Sequence, residues 1–205
     1  MQKDDSTMKK LKLSFKGERT YIQGTNLYTA VTEAVKDIFV QDRPWINYIA
    51  FRQFAQSGCT IVLGSDSLVS FPIVGHFACQ TGEGKIKGQI YETFEMIEKR
   101  LPFNEEQMNN TAVIEEKSII QFRRAGFLAI EEIVFLTKHL HNSLLPPKQG
   151  QWVFTQIDLI APFSNDDNVL YAIHLKQNIA NRITISEIEE NGHILGKINF
   201  SIGKL

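Results

Sequence analysis

Apolar residues recur every three or four positions in two parts of the chain and at every second position through most of the rest. Leu27, Ala30, Val31, Ala34, Val35, Ile38 and Phe39 mark one face of a helix with a 3.6-residue period, for which Thr25 or Asn26 is the expected N-cap. A second helical stretch, about residues 127–145, is apolar around most of its circumference, as in a helix covered on several sides. Pro146 and Pro147 end it. Each helix is preceded by a short strand ("LKLSF", "SIIQF") and a polar turn. Each is followed by four extended segments: "NYIAFRQF", "CTIVLGS", "IVGHFACQ" and "KIKGQIYETF" after the first, "WVFTQIDLI", "VLYAIHLKQ", "RITISEIEE" and "HILGKINFSI" after the second.

The same order of elements twice suggests a duplication. At an offset of 107, Phe15 meets Phe122 and Trp45 meets Trp152. At 108, Ile49 meets Ile157, Gly84 meets Gly192, Ile86 meets Ile194, Gly88 meets Gly196 and Ile90 meets Ile198. The clearest pairing sets "TGEGKIKGQIYE" against "ENGHILGKINFS". The expected organisation is a first repeat over residues 1–97, a linker over 98–111 rich in polar and turn-forming residues, and a second repeat over 112–205.

Composition changes this picture little. Of 205 residues, 43% are hydrophobic and 22% charged, an ordinary globular balance long enough to bury a substantial core. The net charge of −1 and the lack of a basic run beyond Lys9–Lys10 give no reason to expect binding to nucleic acid or acidic membranes. No apolar stretch approaches a membrane span, and the opening residues lack a secretory pattern, so a cytoplasmic protein is expected. Cys59 and Cys79 read as buried free thiols, and the dispersed histidines suggest no metal site. There is no nucleophile elbow, phosphate-binding glycine loop, His-Glu-x-x-His or dinucleotide fingerprint. No cofactor is expected.

Strand, turn, long central helix and antiparallel meander, found twice, resemble the hotdog fold in a tandem double arrangement. The fold class expected is therefore α+β, a double hotdog of two tandem repeats, each with a long central helix wrapped by an antiparallel sheet. A duplicated helix-grip or cystatin-like unit has the same element order. The resemblance implies work on acyl thioesters of coenzyme A or acyl carrier protein, in fatty acid or polyketide metabolism, as a thioesterase or a 3-hydroxyacyl dehydratase-like enzyme. The alternative is a non-catalytic hotdog that binds an acyl chain or acyl carrier protein. With both hotdogs in one chain, the expected assembly is a monomeric pseudo-dimer or a dimer of such pseudo-dimers.

In such enzymes an acidic residue lies about a turn inside the central helix, whose free N–H groups stabilise an oxyanion. Gly126-Phe-Leu-Ala-Ile-Glu131 resembles the dehydratase pattern of a glycine followed five residues later by an acid. The resemblance implies a backbone N–H from Gly126 for the thioester oxygen and Glu131 as acid/base. Equally, Gly126 permits the turn while Glu131 and Glu132 form a solvated helix face. The first repeat has Thr29 at the corresponding spacing. Its turn carries Arg19, Tyr21 and Gln23, which either contact substrate or serve the turn and cap. A dehydratase also needs a histidine opposite the acid. His76, in "VGHFA", is the candidate, although it falls on a strand after the first helix rather than before it. Without it, hydrolysis by a Glu131-activated water fits better than dehydration.

Overall fold

Alternating polarity produces a strand in nearly every segment where it was expected, and the two helices form on the 3.6-residue period. The computed structural model describes residues 8–64, 70–103 and 111–203. The chain divides into two units, Met1–Phe103 and Asn104–Leu205. Much of the expected linker, 104–110, lies outside the described residues, as does Ser65 at the end of "CTIVLGS".

The first unit contains β1 (Met8–Lys10), β2 (Phe15–Lys16), α1 (Gly24–Ile38), β3 (Trp45–Phe51), β4 (Cys59–Leu63), β5 (Ile73–Thr81), β6 (Gly84–Glu92) and β7 (Arg100–Leu101). Its antiparallel strands run in the order β1-β4-β6-β5-β3. "LKLSF" departs from expectation. The strand precedes it as β1, and only Phe15 is extended, pairing with Arg100 in a two-residue parallel ladder of β2 with β7. That ladder places part of the expected linker, Arg100–Leu101, within the first unit's fold. Helix α1 begins at Gly24 with Gln23 as N-cap and no side-chain capping bond. The expected caps do other work: Thr25 is buried in the first turn, and the Asn26 amide donates to the Ser14 carbonyl. Leu27, Val31 and Val35 on the helix join Ile46, Ile49, Ile61, Phe77 and Ile90 on the sheet in this unit's core.

The second unit contains β8 (Val113–Glu115), β9 (Ser118–Phe122), α2 (Ala129–Leu144), β10 (Gln151–Leu159), β11 (Leu170–Ile179), β12 (Ile183–Glu190) and β13 (His193–Gly203). Its order is β8-β9-β11-β12-β13-β10, all antiparallel. Asn191 and Gly192, both at positive φ, make the two-residue turn between β12 and β13, a geometry whose twist suits a hairpin. Helix α2 is buried on most sides: Ile133, Leu136 and Leu140 are at most 1% exposed, and they belong with Trp152, Ile157, Ile173, Ile188 and Phe200 to the apolar core of the unit.

The sequence match between the halves does not carry over to strand order. β12 and β13 continue a meander from β11, and the last strand, β13, pairs with β10. In the first unit it is β5 that pairs with β3, while β6 pairs with β4. The matched segments β6 and β13 each pair with the strand before them but differ in their second neighbour, and their matched glycines meet different groups. A Cβ on Gly88 would meet the Phe77 ring at 2.4 Å, whereas one on Gly196 would meet the Asp158 carbonyl at 2.2 Å. The tryptophans also differ. Trp45 opens β3 half-buried, whereas Trp152 is buried and donates from Nε1 to the Leu145 carbonyl at 3.0 Å. Among the described residues, no helix is long and apolar enough to cross a membrane.

Candidate functional site

The chemistry of the second unit gathers where β9 gives way to α2. After Phe122 the chain turns through Arg123, Arg124 and Gly126, which sits at φ +91, a conformation open to glycine and strained for other residues. A Cβ there would meet nothing within 4 Å, so the glycine serves the turn and nothing in the unit packs over it. Leu128 is the N-cap, and its side chain cannot accept a hydrogen bond. Glu131, at the third helical position, reaches back so that its Oε2 accepts the Leu128 N–H at 3.3 Å. This is the return half of a capping box.

Glu132 is enclosed more deeply. It is 2% exposed against 9% for Glu131. Its Oε1 accepts the Arg124 backbone N–H at 2.7 Å, while Oε2 stands 4.0 Å from Arg123 Nε and is buried without a hydrogen-bond partner. Burial pushes its carboxyl up to about 7, against the opposing pull of the Arg124 N–H and the two arginines. Two more unpartnered buried atoms lie on neighbouring strands, the Tyr171 hydroxyl and Gln121 Oε1. Tyr171 and Gln121 face each other across the β9–β11 ladder. Burial raises the Tyr171 phenol, and Arg123, Glu190 and Glu132 all act on it electrostatically. A buried polar atom without a partner costs about 1–3 kcal/mol. Three of them around one helix start are expensive for a purely structural cluster.

Arg123 ties this group to the segment after β10. Its Nη1 donates to the carbonyls of Ser164 and Asp166, 2.9 Å each, and Glu190 Oε2 accepts the Ser164 N–H at 3.4 Å.

The residues expected to bind substrate in the first unit are engaged locally. With the Gln23 amide turned so that its oxygen faces Arg19, that oxygen accepts from Nε and Nη1 at 3.1 and 3.2 Å. The Arg19 guanidinium lies 5.2 Å from the centre of the Phe103 ring, and Tyr21 packs on Phe54 at 4.6 Å. His76 lies on β5 between Ala50 and Gln89, with Nε2 buried and unpartnered. Burial, then Arg52, holds it below the ordinary imidazole range. The structure thus groups Arg19 with Gln23 in the first unit and Gly126 with Glu131 in the second. His76 and Glu131 belong to different units.

Sequence reasoning passed over Glu132, Arg123 and Tyr171. One signal was present: Glu132, Leu136 and Leu140 are spaced by four, so Glu132 lies on the stripe that the core covers. Among the described residues, no three His, Cys, Asp or Glu side chains are grouped to hold a metal ion. The thiols of Cys59 and Cys79 are buried and raised by that burial, to about 12 and about 11.

No known family pattern matches the sequence, and no curated protein does. Solved structures do match in fold. A pyran synthase domain from module nine of the sorangicin pathway aligns with 98% of this chain and 92% of its own, at 8% identity and a TM-score of 0.54. A Lactobacillus plantarum protein described as an oleoyl thioesterase aligns over 97% and 96%, at 11% identity and 0.51. The dehydratase domain of PpsC from Mycobacterium tuberculosis, solved in complex with C12:1-CoA, aligns over 97% and 93%, at 12% identity and 0.51. At these identities the likenesses show the fold alone, that of the hotdog.

Proposed function

We propose that the protein is a double hotdog that processes acyl thioesters, with Glu132 rather than Glu131 as its acid/base. One observation carries the reading: a buried carboxyl, raised to about 7 and with one oxygen unpartnered, stands in the first turn of a hotdog helix. A group poised near neutrality can both accept and return a proton, the condition for general acid–base catalysis. The N–H groups and dipole at the start of α2 favour negative charge there.

Hydrolysis is the preferred reaction, since no histidine accompanies Glu132 in its cluster. Ionised Glu132 takes a proton from water as the water oxygen bonds to the thioester carbonyl carbon. Collapse of the intermediate breaks the C–S bond, and the proton returns to the departing thiolate. Glu131 supports the site by capping the helix and so fixing the turn from which Glu132 projects.

The test compares two adjacent variants on a panel of acyl-CoA and acyl-carrier-protein thioesters, scored for hydrolysis and for hydration. Glu132→Gln keeps the shape and the Arg124 contact but cannot take a proton, so turnover falls by about 100- to 10,000-fold with acyl binding retained. Glu131→Gln, whose amide oxygen still accepts the Leu128 N–H, retains most turnover. The reverse ranking would return the catalytic role to Glu131. Wild-type binding of acyl chains without turnover on any thioester would favour the non-catalytic reading.

A further inference from the structure

We propose that Arg123 is a positioning residue that couples the ionisation of Glu132 to the seating of the 160–168 segment. The inference rests on the reading of Glu132 as the working carboxyl, and its geometry is independent of any substrate. One guanidinium serves both ends: Nε faces Glu132 Oε2 at 4.0 Å, while Nη1 holds the Ser164 and Asp166 carbonyls at 2.9 Å. The Arg123 side chain is only 16% exposed, so its charge acts on Glu132 with little screening by solvent. Its backbone is fixed as well, the Arg123 N–H donating to the Val169 carbonyl at 2.7 Å. The guanidinium is therefore a rigid fork on an anchored base.

The 160–168 segment depends heavily on this fork. Within it the bonds are local: Asp166 N–H to Ser164 Oγ at 3.0 Å and Asn168 N–H to Asp166 Oδ1 at 2.9 Å. Other ties include the 3.4 Å bond from Ser164 N–H to Glu190 and the Ile160 N–H bond to the Leu195 carbonyl at 2.9 Å. When Glu132 is ionised it attracts Arg123 and steadies the fork beneath the segment. When Glu132 gains a proton that attraction ends and the segment loosens, opening the buried cluster. By reciprocity, seating the segment must favour the ionised form of Glu132 to the same degree. Arg124 before the helix and Glu131 on it act on Glu132, Tyr171 on β11 interacts with both members of the pair, and Glu190 on β12 acts on Tyr171. Arg123 both bonds the segment's carbonyls and faces Glu132.

The test is an NMR titration of the intact protein, following the Glu132 carboxyl carbon together with the Ser164 and Asp166 amides. In wild type these amides should shift with the midpoint of Glu132. Arg123→Gln should raise the Glu132 midpoint by about one pH unit, the lower end for loss of a neighbouring opposite charge, and should abolish the linked amide shifts. Arg123→Lys keeps the charge but not the fork, so the midpoint should stay near wild type while the amides uncouple. A Glu132 midpoint unmoved in Arg123→Gln, or amides that follow a different midpoint in wild type, would overturn the coupling. Retained turnover in Glu132→Gln would instead sink the catalytic reading and leave the titration result standing.

Discussion

The two helix starts differ in their acids and in what they leave buried without a partner. At α1 the cap is Gln23, its first turn holds no acid, and the polar side chains before it pair with one another or with nearby rings. At α2 there are two acids, one closing the helix cap and the other driven into the core beside Arg123 and Tyr171. The first start is an ordinary helix entry with its polar groups satisfied. The second keeps unpartnered buried atoms, a stability cost that a functional site would explain.

The largest expected effect is the loss of turnover in Glu132→Gln, and the comparison is sharpened by treating α1 the same way. Gln23→Ala should leave turnover unchanged; a loss as deep as that of Glu132→Gln would break the contrast. Next is burial. Leu140→Ala should cost about 2–5 kcal/mol, towards the upper end because α2 is enclosed on most sides, and Leu27→Ala on α1 should fall lower in that range. Urea unfolding of both variants measures the difference.

Stability should also respond to pH in two opposing ways. The native carboxyl of Glu132, raised to about 7 from 4.5, holds a proton that the unfolded chain has released, so its contribution declines as pH rises through that window. His141 does the opposite. It is fully buried, with Nε2 3.2 Å from Ser186 Oγ and Nδ1 3.4 Å from Thr184 Oγ1, and burial lowers it to about 4. Its contribution is present above 6.5 and is lost as pH falls towards 4. Each effect spans at most about 3 kcal/mol. Between pH 4.5 and 6.5 they oppose each other in wild type, and Glu132→Gln should uncover the His141 slope, with stability rising alongside pH. Urea midpoints that fall with pH in that variant would contradict the assignment. The smallest effect belongs to Gly126→Ala, which should cost about 1–2 kcal/mol through backbone strain alone, since its Cβ enters open space.

Much of this was legible from residues alone. "SIIQF" is β9 to the residue, and both helices lie on their apolar stripes. Strand neighbours were not legible, because alternation reports which face is buried and says nothing about which strand lies alongside. The same order of elements along the chain is therefore compatible with hairpins placed differently in the two sheets. The spacing from Gly126 selected Glu131, while its neighbour, turned about 100° around the helix, is the more deeply buried of the two. Deciding between adjacent carboxylates required knowing that Tyr171 and Arg123 enclose one of them, and both contacts depend on tertiary packing. A helix C-terminus favours a charged histidine, but at His141, near the end of α2, burial overrides that attraction.

The different hairpin placement also bears on how each unit is assembled. In the second unit β11, β12 and β13 are consecutive and pair in sequence, so local closures build most of the sheet before β10 must find β13. In the first unit β5 and β6 form the one consecutive pair among β3 to β6, and it lies between β3 and β4. Both outer strands must then join the edges of that hairpin across intervening chain, as β10 must to reach β13, each at a loop-closure entropy. Contacts so distant in sequence slow folding. Among the strands after each helix, the first unit thus divides this closure cost between β3 and β4, whereas the second leaves it to β10 alone.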